Sequence, residues 1–122
     1  MNRRTPKNPE PDVEPGGLSV STRAWAGGTV LTLRGELDLD TVELVHTALD
    51  EALRTPGTTV VIDCADLEFC DSTGLNALLR ARGVADGGGS RIELVNPRPL
   101  VLRMLELTGA TDAFRIRSEL PA

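Results

Sequence analysis

Between Leu18 and Ile116, short apolar runs alternate with stretches of helical periodicity, which leaves few ways for the chain to fold. Residues 18–24 read as a strand, Gly27 and Gly28 as a turn, and residues 29–33 as the hairpin partner. Asp40 stands where a helix N-cap is expected, with Glu43 three residues on as in a capping box. Val42, Val45, Leu49, Ala52 and Leu53 then give residues 41–54 one apolar face, and Pro56 and Gly57 end it. Residues 58–64 hold Val60, Val61 and Ile62 in succession, as suits a central strand. Asp71, Ser72 and Thr73 precede a second amphipathic pattern at Leu75, Leu78, Leu79 and Ala85. Gly83 weakens that helix by about 1 kcal/mol relative to Ala, and Gly87, Gly88 and Gly89 terminate it. Residues 92–94 form a short strand, and Asn96 and Pro97 cap and start a third helix. Its apolar stripe is Val101, Met104 and Leu105, and Gly109 is its left-handed stop. Residues 114–116 make a last strand.

Helices alternating with strands after an opening hairpin imply right-handed crossovers. The expected fold is therefore α/β: one domain over 18–122, with a mostly parallel sheet and all three helices on one face. Residues 1–17 differ. Four of the eight prolines fall there, with mixed charges and little to bury, so they read as a mobile tail.

Composition narrows the function. A net charge of -5, two Phe, one Trp and no Tyr argue against a nucleic-acid surface. The longest apolar runs, at 59–62 and 100–102, are too short to cross a bilayer, and no apolar stretch follows Arg3 and Arg4 as a signal would require. Cys64 and Cys70 lack the spacing of a zinc site or a disulfide scaffold. The expectation is a cytoplasmic protein with no cofactor, no metal and no membrane association.

In such sheets the strand-to-helix connections converge at one edge, and helix N-termini open onto it. Two segments meet there: Gly35, Glu36, Leu37 and Asp38, and the run Phe69, Cys70, Asp71, Ser72, Thr73, Gly74, Leu75. Ser72 fits the part of an N-cap, and a phosphate placed on it would meet free amides and the positive end of the helix dipole. Nucleophilic catalysis by Ser72 is set aside. No G-x-S-x-G elbow surrounds it, and His46, the one histidine, falls mid-helix. Gly87, Gly88 and Gly89 follow a helix and precede a strand, the reverse of a phosphate cradle. Glu36 and Asp38 lack further oxygen ligands at a regular offset. Cys64 reads as a core residue, and Cys70 as a residue near the exposed edge with nothing basic beside it.

With Gly35-Glu36-Leu37-Asp38, Asp71-Ser72-Thr73-Gly74-Leu75 and Leu105-Glu106-Leu107-Thr108-Gly109, the chain resembles the STAS domain of bacterial anti-sigma factor antagonists from about Leu18 to Ile116. The resemblance implies a domain that, when unphosphorylated, binds an anti-sigma factor serine kinase and so frees a sigma factor. Phosphorylation at Ser72 releases the kinase, and a metal-dependent serine phosphatase restores the starting state. The implied binding face is Gly35, Glu36, Leu37, Asp38, Asp71, Ser72, Thr73, Gly74, Leu75 and Asn76, with Leu37, Leu75 and the small glycines packing on the partner. Thr73 is the competing acceptor. Related STAS domains also serve stress-signalling assemblies and anion transporters, the latter excluded here by the lack of spans. The alternative reading is a constitutive interaction domain in which Ser72 only caps a helix.

Overall fold

The computed structural model describes residues 13–122. Eight main elements follow one another: β1 (Leu18–Trp25), β2 (Gly28–Leu37), α1 (Val42–Ala52), β3 (Thr59–Cys70), α2 (Ser72–Gly87), β4 (Arg91–Val95), α3 (Pro99–Leu107) and β5 (Arg115–Arg117). A single turn of 3-10 helix, Thr111–Ala113, leads into the last strand. The sheet order is β1-β2-β3-β4-β5, antiparallel within the opening hairpin and parallel from β2 onward.

Because successive crossovers run in one direction with one hand, the helices collect on one face. Val42, Val45 and Leu49 of α1, Leu75, Ala77, Leu78 and Ala85 of α2, and Val101 and Leu105 of α3 share one core cluster. Alternate strand residues complete it, among them Leu31, Leu33, Val60, Ile62, Ile92 and Leu94. The other face of the sheet is much thinner in apolar groups: Val30, Val61 and Val95 pack there beside Trp25. The expected fold class and the opening hairpin are thus as observed. Among the described residues, no helix is long and apolar enough to cross a membrane.

Several boundaries differ from the sequence reading. β2 and β3 run on past residues 33 and 64 because their parallel pairing resumes after register shifts, through Arg34↔Asp66 and Gly35↔Leu67 to Leu37↔Cys70. Those bulges break the alternation of period two on which a strand is recognised. Arg34 and Asp66 close the extension with an ion pair at 2.7 Å. Asp40 does not cap α1. The N-cap is Thr41, and the Asp38 carboxylate accepts the amides of Asp40 and Thr41 at 3.0 and 3.2 Å. The third helix starts at Pro99 after Arg98, not at Asn96 and Pro97, because Asn96 sits in a left-handed turn at φ 57°. Phe114 belongs to the core and the last strand begins one residue later. Gly109 ends α3 at φ 75°, as expected. Of the expected tail, residues 1–12 lie outside the described residues. Val13 to Gly17 form a turn in which the Gly17 amide donates to Glu14 O, while Gly17 O accepts the Glu36 amide at 2.9 Å.

Ile62, on the central strand and 1% exposed, tests this packing. Ile62→Ala is expected to cost about 2–5 kcal/mol of unfolding free energy, read as a lower urea midpoint with an unchanged slope.

Candidate functional site

The site begins where β2 and β3 end side by side. Leu37 pairs with Cys70, and the Asp71 amide donates to Leu37 O at 3.1 Å, so both chains leave the sheet together. After β2 the turn is tied down locally. Thr41 is buried, its hydroxyl donates to Glu36 O at 2.8 Å and accepts the Asp38 amide at 3.0 Å. The Asp38 carboxylate is therefore occupied with the loop itself. Thr41 was not singled out from sequence; its signal was a hydroxyl three residues after an aspartate, the spacing of a local side-chain turn.

After β3 the chain enters α2 at once. Asp71 is the N-cap: its backbone is extended and its Oδ1 accepts the Gly74 amide at 2.9 Å. Ser72 is therefore not the cap, contrary to the sequence reading, but the first residue inside the helix. It is exposed, and its hydroxyl makes no hydrogen bond within the described residues. The amides of Ser72 and Thr73 lie in the first turn, where the helix has no carbonyl to offer them. A carboxylate caps the helix while a free hydroxyl stands beside it.

Of the remaining candidates, Glu36, Asp38, Asp71 and Thr73 are half-buried and Asn76 is exposed. Leu37, Gly74 and Leu75 are buried in the core, which corrects the expectation that they pack on a partner. A Cβ at Gly74 would lie 2.6 Å from Leu37 Cγ and 3.1 Å from Cys70 Sγ. That glycine lets α2 lie against the ends of β2 and β3. Gly35 likewise serves the fold, at φ 110° with its Cα against the backbone of Gly17. Apolar surface at this end comes instead from Leu39 on the first connection and Leu100 at the start of α3, which sequence reasoning passed over, and from Phe69 at the end of β3, which it had placed on this edge; they are exposed by 72%, 59% and 40%. Leu39 lay in neither a helical nor a strand period, which was the available signal.

Cys70 also differs from expectation, being buried, with its thiol pushed up to about 12 by burial and then by the charge of Asp71. Cys64 is buried in the core as expected, and its thiol is also pushed up to about 12, by burial, then by Asp63 and Cys70. His46 sits on α1 in a shallow groove with Arg80 of α2. Among the described residues no group of three or more His, Cys, Asp or Glu side chains is placed to hold a metal.

A sheet covered by helices on one side, with a partly apolar edge presenting a free serine hydroxyl, defines a small α/β domain of one sheet and three helices. The chain belongs to the STAS-domain family: residues 21–118 match the family model described as Mlab, STAS domain. It is similar to the anti-sigma-F factor antagonist RsfB of Mycobacterium tuberculosis, at 30% identity over 87% of this chain and 86% of the relative. Among solved structures, an anti-sigma factor antagonist from Mycobacterium paratuberculosis superposes with a TM-score of 0.78 at 24% identity, covering 88% of this chain and 92% of the other. The Bacillus cell fate determinant SpoIIAA in its phosphorylated form does so with a TM-score of 0.65 at 23% identity, covering 83% and 93%.

Gly74→Ala is expected to cost about 1–3 kcal/mol through the forced contact with Leu37, and Leu37→Ala in the same chain is expected to be less than additive in a double-mutant cycle. A thiol reagent at pH 8 is expected to label neither cysteine in the native protein and both in urea, since burial keeps each thiol protonated. A raised folded pKa stabilises below the unfolded value of 9.0, so this contribution is expected to be lost as pH climbs from 9.0 to about 12.

Proposed function

We propose that this protein is an anti-sigma factor antagonist working as a cytoplasmic partner switch in stress-type signalling. The unmodified edge binds an anti-sigma factor serine kinase. Transfer of phosphate to Ser72 breaks the complex, and a metal-dependent serine phosphatase reverses the change. The observation that carries this reading is the Ser72 hydroxyl: exposed, unbonded and on the first residue of α2, with the capping done by Asp71. The likeness to RsfB supports the antagonist class.

In the bound state Leu39, Phe69 and Leu100 supply apolar contact around Ser72, and Asn76, one turn further along the exposed side of α2, adds a polar one. Phosphate brings about -1.5 to -2 charges at neutral pH. It arrives beside Asp71, on an edge that also carries Glu36, Asp38, Asp40 and Glu68. At roughly 5 Å in a water-exposed setting, each added like-charge pair costs on the order of 1 kcal/mol. Two such pairs exceed the roughly 1.4 kcal/mol that changes affinity tenfold. The fold has no need to change, because the helix N-terminus favours the added anion locally while Asp71 keeps the cap.

Incubation with an anti-sigma factor kinase from the same cell and Mg-ATP, followed by mass mapping, tests this. Ser72→Ala is expected to take up no phosphate and to stay bound, and Ser72→Asp to bind at least tenfold more weakly. Stoichiometric phosphate on the Ser72→Ala protein would move the acceptor to Thr73. Equal binding by all three proteins would leave a constitutive interaction domain.

A further inference from the structure

The face of the sheet turned away from the helices holds a second polar feature, apart from the Ser72 edge. Strand register brings Thr59 beside Arg91 and Glu93 beside Arg115, with Arg117 two residues further along β5. Together with Trp25 and Ser118 they line a cavity of about 480 Å³. That volume lies within the usual range for small-ligand sites.

The charges there do not balance. Glu93 is buried and shared by two guanidiniums, Arg117 at 3.3 Å and Arg91 at 3.9 Å. Arg115 has no ion pair among the described residues, and Glu119 is the other carboxylate of the lining. Three guanidiniums thus meet two carboxylates, in a chain whose net charge is -5. The neutral groups tilt the same way. Thr59 and Ser118 bring hydroxyls, and the Trp25 Nε1 is buried with no acceptor. A buried donor left unpaired is rare in folded proteins and costs free energy. The Arg117 guanidinium lies 5.5 Å from the centre of the Trp25 ring, which holds the two side chains together.

We propose that this cavity binds a small, multiply charged oxyanion of the phosphate class. Arg115 and Arg91 take its charge, and Thr59 and Ser118 hydrogen-bond its oxygens. Guanidinium suits such ligands because its planar donors match two oxygens at once.

Trp25 makes the site observable, because it is the one Trp and the chain has no Tyr. The full-length protein at low ionic strength, titrated with sodium pyrophosphate, is expected to show a saturable fluorescence change, with equilibrium dialysis counting one anion per chain. Arg115→Gln is expected to weaken binding at least tenfold. Arg103→Gln, at an exposed position on α3, is expected to leave it unchanged. Sodium chloride at matched ionic strength is expected to give no saturable change. No bound pyrophosphate on dialysis, or equal losses in the two variants, would overturn the proposal.

Discussion

The contact between the first turn of α2 and the end of β2 carries the rest of the structure. Gly74 has no side chain, so the helix comes down directly on Leu37 and Cys70. The Asp71 amide donates to Leu37 O and its carboxylate accepts the Gly74 amide, so Asp71 alone ties strand to strand and strand to helix. With Asp71 and Gly74 held in this way, the first turn of α2 leaves Ser72 exposed and Thr73 half-buried.

A division of labour between adjacent residues results. A helix capped by its own modifiable serine would lose the cap when phosphate arrived, and its first turn would be rebuilt. Here the capping oxygen belongs to Asp71 and the added group would sit on the next residue. On the neighbouring connection Asp38 and Thr41 play the same part, folding the loop onto itself. Both connections are held by short-range side-chain bonds, which makes the edge a firm surface.

Most of the architecture was legible in the sequence because it rests on periodicity. Val42, Val45 and Leu49, and likewise Leu31 and Leu33 against Val60 and Ile62, are spaced as their elements demand. Legibility failed where a local rule was overruled. The bulges between Thr32 and Arg34 and between Gly35 and Glu36 hid the outer halves of β2 and β3, since charged residues there belong to a strand without alternating. At the site, the motif located the edge, but not which side chains face outward. Leu37 and Leu75 look like contact residues by type and are core residues by position, whereas Leu39 and Phe69 are exposed. Capping was misassigned three times, at Asp40, Ser72 and Asn96. At the first two several short polar residues compete for the same amides, and only the backbone path decides between them.

The strand order has a consequence of its own. Every strand lies beside its neighbour in sequence, so no pairing waits for a distant part of the chain. During synthesis the opening hairpin can form as soon as it leaves the ribosome, and each later helix–strand unit has a finished edge to dock on. The part of the rim built from β2, β3 and the first turn of α2 precedes the last two strands in the chain, while Leu100 of α3 follows β4. A nascent chain therefore carries Ser72 and its Asp71 cap out of the ribosome ahead of β4 and β5.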